Sequence, residues 1–247
     1  VSQGARGERA RPVPGRLGLP AGIAAALFDL DGVLTRTAVL HAAAWKQAFD
    51  PVLAAQGQAA FDAVTDYARH VDGRPREDGV RALLAARGIA LPDGAVPAIA
   101  AHKDQLFERL LRERPVETYP GSVRYLRAVR DAGLRTAVVS SSKHTQEVLR
   151  GAGLAELFEA RIDGVIAEQR RLAGKPAPDT YLAAARALGV EPARAAVFED
   201  ALAGVAAGRA GRFGCVIGVD RAGQAAELRR HGADVVVADL AALLEGA

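Results

Sequence analysis

Six short apolar runs, spaced along a chain of 247 residues, constrain the fold more than any other feature of the sequence. They are AAALFDLD (24–31), RTAVVSS (135–141), ARIDGV (160–165), AAVFED (195–200), GCVIGVD (214–220) and DVVVADL (234–240). Most are apolar throughout rather than alternating. A strand with one wet face alternates with a period of two, whereas a continuous apolar run suits a strand covered on both faces, as in a parallel sheet. Between the runs lie SVRYLRAVRDAG, TQEVLRGAG, DTYLAAARALG and AGQAAELRRHG, with apolar residues at helical spacing and glycine at the stop. Strand alternating with helix predicts an α/β fold on a doubly wound, Rossmann-like parallel sheet. In such sheets ligands bind at the carboxyl ends of the strands.

One stretch breaks the alternation. Residues 38–117 hold no buried-strand pattern but three helical ones, VLHAAAWKQAFDPVLAA, REDGVRALLAARG and AVPAIAAHKDQLFERLLRER. They predict an all-helical cap domain inserted after the first strand. Residues 23–37 and 118–247 then form the α/β core domain, with hinges near Thr35–Val39 and Pro115–Tyr119. An insert rooted beside the end of the first strand is placed to act as a lid.

The net charge of +3 suggests a polyanion partner at first sight. Much of the excess, however, sits in Arg6, Arg9, Arg11 and Arg16, among glycines and prolines. Residues 1–22 are therefore expected to form a flexible, solvated basic arm. No basic stripe is interleaved with aromatics, which argues against nucleic acid. The arm has no apolar core of a signal peptide, and no run approaches the ~20 residues of a membrane span. The single cysteine, Cys215, allows no internal disulfide and suits a reducing, cytoplasmic setting. A monomer is compatible with this architecture.

Polar residues collect where the strands end. The first run gives Asp29 and Asp31, two positions apart, so that on a strand both carboxylates face the same way. Two such charges repel unless a cation or a shared proton separates them. The second run ends in Ser140, Ser141, Ser142 and Lys143, the third is followed by Lys175, and the fourth ends in Glu199 and Asp200. Brought to one edge, these supply four carboxylates, a lysine and hydroxyl donors. Oxygen ligands suit a hard cation, Mg²⁺ in particular, and lysine and serine suit phosphoryl oxygens.

This ordered set resembles the haloacid dehalogenase superfamily. DLDGVLT is similar to its first motif, Ser140 in AVVSS to the second, Lys175 in GKPAPD to the third, and FEDALAGVAAGRAG to the fourth. The resemblance implies that Asp29 is the nucleophile that forms an aspartyl-phosphate and Asp31 the general acid and base. It implies Mg²⁺ held by Asp29, the Asp31 backbone carbonyl and Asp200, with Glu199 helping. Lys175 and Ser140 would steady the phosphoryl group.

Within the superfamily, the insert resembles that of the β-phosphoglucomutase subgroup. LTRTAVLHAAAWKQAF matches its hinge and first cap helix, with Thr37, His41, Trp45 and Lys46 in corresponding places. VDGRPREDGV is similar to its specificity loop, which implies that Arg76 meets the non-reacting phosphate. Lys103, Ser142 and Lys143 would complete that substrate site. Trp45 falls in the same substrate-facing set, although an indole is more often a core anchor. Arg36, Gly79 and His144 depart from the subgroup's acidic residue, serine and asparagine. The expected activity is a Mg²⁺-dependent phosphomutase on a small sugar phosphate, interconverting β-glucose 1-phosphate and glucose 6-phosphate through a bisphosphate. The alternative is a phosphatase on the same class of substrate. A phospho-aspartate receiver would lack the second acid of the DxD pair and the insert.

Overall fold

The structure is a computed structural model and describes residues 17–245. Six parallel strands form one sheet in the order β3-β2-β1-β4-β5-β6: β1 Ala25–Phe28, β2 Arg135–Val139, β3 Ala160–Ile162, β4 Ala195–Glu199, β5 Cys215–Val219 and β6 Val235–Val237. The chain steps outward from β1 to β3 and then returns to lay β4 on the other side of β1. That reversal makes the carboxyl end of β1 and β4 the natural crevice of the sheet.

The helices follow in chain order. The insert supplies α1 (Ala38–Ala55), α2 (Arg76–Ala86) and α3 (Ala95–Glu113), with a π-helical turn at Tyr67–Val71. The core supplies α4 (Pro120–Asp131), α5 (Thr145–Gly151), α6 (Gly164–Gln169), α7 (Asp179–Ala187), α8 (Leu202–Ala210), α9 (Ala225–His231) and α10 (Ala242–Glu245).

The continuous apolar runs have the expected cause. Ala26, Phe28, Val138, Phe198 and Ile217 face one side of the sheet and pack on Tyr125, Leu126 and Val129 of α4 and on Val148 and Leu149 of α5. Ala25, Leu27, Val139, Val197 and Val216 face the other and pack on Tyr181 and Ala184 of α7 and Val205 and Ala207 of α8. Both faces are dry, so neither tolerates a polar alternate position. Cys215 is buried in the first of these layers.

The cap has a core of its own, built from Trp45, Phe49, Leu53, Phe61, Val80 and Leu83. A second apolar seam, where Leu40 and Ala44 of α1 meet Leu106 and Phe107 of α3, runs on into the cluster under the sheet. The two connections between cap and core run antiparallel. Arg36 N donates to Glu117 O at 2.9 Å, Tyr119 N to Leu34 O at 2.9 Å, and Thr35 pairs with Thr118.

All six strand expectations run long, three of them by three residues or more. The first strand stops at Phe28, so Asp29 and Asp31 leave it on the following loop rather than projecting from the strand itself. The third stops at Ile162 because Asp163 caps α6, accepting from Ile166 N at 2.9 Å. The sixth stops at Val237. The basic arm, expected over 1–22, lies outside the described residues as far as position 16. Residues 17–22 do not behave as an arm. Leu17 and Leu19 are buried in the sheet's first apolar layer, and the Tyr125 hydroxyl donates to Leu17 O at 2.8 Å.

The Phe28 and Phe198 rings stack with centroids 4.4 Å apart and are fully buried between β1 and β4. Phe198→Ala should therefore lower the unfolding free energy by about 3–5 kcal/mol in urea titration. A loss below about 1 kcal/mol would mean that the sheet's centre repacks freely.

Candidate active site

The loop after β1 is shaped by its glycine. Asp29 N still donates to Phe198 O at 2.9 Å, so Asp29 continues the sheet's direction. Gly32 then takes φ +97°, and a Cβ there would meet Asp200 Oδ2 at 1.8 Å. Glycine thus permits both the turn and the close approach of Asp200 beneath it. Arg221, after β5, holds this turn from outside. It donates to Gly32 O at 2.9 Å and lies over the Tyr119 ring at 3.6 Å.

Lys175 is the hub of the buried acids. Its Nζ donates to Asp29 Oδ1 at 2.5 Å, to Glu199 Oε1, and to Val139 O at 3.4 Å. Glu199 also accepts from the Tyr181 hydroxyl at 3.0 Å and from Ala201 N at 3.0 Å. Burial opposes the lysine's charge, but Asp29 and Glu199 outweigh it and push its pKa up. Burial, with the charges of Glu199 and Asp31, pushes Asp29 up against the pull of Lys175.

Asp29, Glu199 and Asp200 each place a carboxylate oxygen within 4.8 Å of the others. One ammonium among these three carboxylates leaves two negative charges uncompensated, the charge of one divalent cation. Asp200 Oδ1 is buried without a hydrogen-bond partner, and burial with the charge of Asp72 pushes its pKa well up. An orphaned buried carboxylate oxygen in an all-oxygen cluster fits a hard cation. These three side chains could hold it.

Asp31 stands apart from that cluster and has different partners. Thr37 donates to its Oδ1 at 2.5 Å, with Thr35 Oγ1 2.6 Å behind Thr37, and Ser140 donates to its Oδ2 at 3.1 Å. Burial would raise its pKa, but His41 and these hydroxyls hold it down at about 2. His41 Nε2 faces Asp31 Oδ1 at 3.3 Å, and His41 Nδ1 lies 2.7 Å from Lys103 Nζ. A charged Lys103 has only protons to offer, so Nδ1 accepts and Nε2 carries the ring hydrogen toward Asp31. The ring also stacks on Phe107 at 3.8 Å. Burial and the charge of Lys103 bring His41 down to about 4, while burial and the charge of Arg76 bring Lys103 down to about 7.

Of the residues expected from sequence, Asp29, Asp31, His41, Trp45, Arg76, Lys103, Ser140 and Ser142 line one cavity of about 60 Å³ between cap and core. Lys175, Glu199 and Asp200 lie behind its floor, and Thr37 lies behind Asp31. Trp45 lines the cavity and is also packed: it is buried, stacks on Phe49 at 5.1 Å, and has Lys103 Nζ 5.1 Å from its ring. Ser142 Oγ accepts from His144 N at 3.1 Å. Lys143 is not drawn in. Its Nζ pairs with Glu168 at 2.7 Å on the rim of a neighbouring cleft of about 650 Å³.

The departures have local causes. A Cβ at Gly79 would sit 3.3 Å from Val71, tighter than most packing allows, so the loop runs close to its own helix there. His144 joins the cap to the core. Its Nε2 lies 2.8 Å from Asp104 Oδ1, and the same oxygen receives Arg76 at 2.5 Å. Arg36 reaches Glu117 at 3.9 Å and the Tyr119 ring at 4.8 Å, which ties the two linkers together.

The sequence reading missed Tyr67, Asp72, Gly73, Arg74 and His144 as cavity residues. The signal for three of them was present. Asp72, Gly73 and Arg74 belong to the quoted VDGRPREDGV loop, from which only Arg76 was taken. Tyr67 comes from the π-helical turn, which has no periodicity to betray it. Burial pushes Asp72 up to about 7, against a hydrogen bond from Tyr67.

Residues 23–212 match the family of haloacid dehalogenase-like hydrolases, described as hydrolases. The chain is 52% identical to the β-phosphoglucomutase of Mycobacterium bovis, over 92% of this chain and 94% of that one. The crystal structure of β-phosphoglucomutase from Clostridium difficile superposes with a TM-score of 0.74 at 25% identity, covering 90% of this chain and 93% of that one. CbbY from Rhodobacter sphaeroides, in complex with xylulose-(1,5)bisphosphate, superposes with a TM-score of 0.69 at 25% identity, covering 89% and 95%. The protein belongs to the haloacid dehalogenase-like hydrolase family and is a phosphoryl-transfer enzyme. Within that family it falls in the β-phosphoglucomutase-like group.

Unfolding lets the His41 ring take a proton near pH 6.5 that the folded protein refuses until about 4. Stability should then fall as pH drops through that window. His41→Asn should flatten the fall in melting temperature between pH 6.5 and 4, measured by circular dichroism. An unchanged slope would place its origin in other groups.

Proposed function

We propose that this enzyme is a Mg²⁺-dependent sugar phosphomutase, interconverting β-glucose 1-phosphate and glucose 6-phosphate or a close analogue through a sugar bisphosphate. The observation that carries the reading is the polarity of the cavity. Asp29 and Asp31 come from the loop after β1, while Arg76 and Lys103 come from the cap and His144 from the start of α5. That distribution of charge complements a substrate with one reacting phosphate and a second, distant anion. The similarity to β-phosphoglucomutases and to a protein holding a sugar bisphosphate supports the same reading.

The chain's own groups divide the work. Lys175 occupies Asp29 Oδ1, which leaves Oδ2 to attack phosphorus. The new P–O bond forms as the bond to the sugar oxygen breaks, and Asp31 delivers the proton which that oxygen needs. In the reverse half, Asp31 takes the proton of an attacking sugar hydroxyl and the bond to Asp29 breaks. Held at about 2, Asp31 is poised as the base, the role required when the phospho-enzyme meets a sugar phosphate. Ser140 is bonded to Asp31 here and would turn its hydroxyl to a phosphoryl oxygen. Mg²⁺, held by Asp29, Glu199, Asp200 and the Asp31 carbonyl, would supply charge neutralisation at the phosphoryl oxygens. The cavity is too small for a sugar phosphate, since ligand sites span roughly 300 Å³ or more. The cap would therefore open to admit substrate and close to exclude water from the aspartyl-phosphate.

Hydrolysis is the second reading. The neighbouring cleft also borders Ser140 and Ser141, and water entering there would approach the same phosphoryl group. The single cysteine suits a cytoplasmic reaction, and among the described residues no helix is long and apolar enough to cross a membrane.

Incubation with Mg²⁺ and β-glucose 1-phosphate, with and without a bisphosphate primer, separates the two. Glucose 6-phosphate is expected, formed faster with primer; free phosphate as the sole product would sink the mutase reading. Asp29→Asn should abolish transfer by at least ~10³-fold while the protein stays folded, judged by circular dichroism. Arg76→Ala should impair mutase turnover far more than hydrolysis of a phosphomonoester without a second anion.

A further inference from the structure

We propose that Asp72 recognises the sugar portion of the substrate, its carboxylate accepting hydrogen bonds from hydroxyl groups. The inference rests on the phosphosugar reading above and deepens it.

Asp72 lines the same cavity as Asp29 and Asp31, but it comes from the cap. It follows the π-helical turn at Tyr67–Val71, and the Tyr67 hydroxyl bonds to it. None of the ion pairs among the described residues includes it. A carboxylate offers about four lone-pair sites, so most of its accepting capacity is left over.

The surroundings select what it can accept. Glu199, Asp31 and Asp200 bear on Asp72 as like charges, against the pull of the buried Lys175. A phosphate would add to that repulsion, and cavity cations are on hand to take the phosphate elsewhere. Asp72 also lies outside the group of carboxylates whose oxygens fall within 4.8 Å of one another, so it is not one of the clustered cation ligands. What remains is a neutral donor. Vicinal hydroxyls of a sugar are donors of that kind, spaced to reach the two oxygens of one carboxylate.

The loop that carries Asp72 is seated rather than free. Ser141 Oγ donates to Gly73 O at 2.7 Å. Gly73 takes φ +69°, and a Cβ there would stand 2.8 Å from Ala201 Cβ. A Cβ on Gly174 would meet Pro75 Cγ at 1.9 Å. Three core segments therefore fix the loop's height above the cavity. Arg74 and Arg76 follow Asp72 at alternate positions and line the cavity too. One short loop thus offers an acceptor for hydroxyls and cations for anions, the complement of a phosphorylated polyol.

The test compares wild type, Asp72→Ala and Asp72→Asn on two substrates with Mg²⁺: β-glucose 1-phosphate, followed as glucose 6-phosphate plus free phosphate, and p-nitrophenyl phosphate. Hydrogen bonds to a charged group predict a loss in kcat/KM of roughly 10- to 100-fold for Asp72→Ala on the sugar phosphate. Hydrolysis of p-nitrophenyl phosphate, which has no hydroxyls to recognise, should not fall with it. Asp72→Asn keeps the shape and one acceptor oxygen and should fall between. It carries the test if the alanine variant fails to fold, judged by its melting curve. Equal losses on both substrates, or none on the sugar, overturn the assignment of Asp72 and leave the phosphosugar reading standing. A wild-type protein that cleaves p-nitrophenyl phosphate and turns over no sugar phosphate overturns both.

Discussion

Lys175 Nζ lies between the carboxylates of Asp29 and Glu199, fully inside the protein. Three distant parts of the chain depend on that contact. It draws the loop after β1, the end of β4 and the segment before α7 to one point, and each would carry an unanswered charge without the others. A buried ion pair of this kind adds little to stability, yet removing one partner leaves the rest exposed to the full penalty of burial. The surrounding apolar layers raise those stakes, because charges interact more strongly in a medium that water does not reach. The strand order follows the same need, since only the return of β4 to the side of β1 brings Glu199 and Asp200 beside Asp29.

The cap answers the core with opposite charge. Arg76 and Lys103 bring cations over a floor of carboxylates, and Lys103 reaches that floor through the His41 ring. Asp104 tempers the arrangement by holding Arg76 and His144 on a single oxygen. Cap and core are thus joined by polar contacts that substrate can replace and by an apolar seam along α1 and α3 that it cannot.

The parallel sheet was legible because both faces of it are dry, which writes each strand as an unbroken apolar run. The core acids and Lys175 were legible for a related reason: a doubly wound sheet sends every strand's carboxyl end to one edge, so polar residues at run ends must meet. The ends of the runs were less clear. Asp163 reads as part of a strand until its side chain is seen capping a helix, and Asp29 and Asp31 share a cavity through the Gly32 turn rather than through strand alternation. Leu17 and Leu19, in a segment otherwise rich in arginine and glycine, were hidden by composition averaged over their neighbours. In the cap, motif spacing reached Arg76 but not Asp72 or Asp104, whose places depend on how two helices and a π-turn are set against the core. Lys143 shows the converse, a residue near the site in sequence whose partner, Glu168, turns it outward.

The two linkers give the insert a particular standing. The segment from Arg36 to Glu117 leaves and re-joins the core across one short antiparallel pairing, closed by the backbone hydrogen bonds Arg36 N to Glu117 O and Tyr119 N to Leu34 O. Geometrically it is a hairpin loop grown to the size of a domain. The sheet below does not need its contents to close, so the insert can change its length, helices and cavity side chains while Asp29, Lys175 and Glu199 stay as they are. On the proposed function, phosphoryl chemistry and choice of substrate then sit on different parts of the chain, joined at Asp31, which Thr37 and His41 hold from the base of the insert.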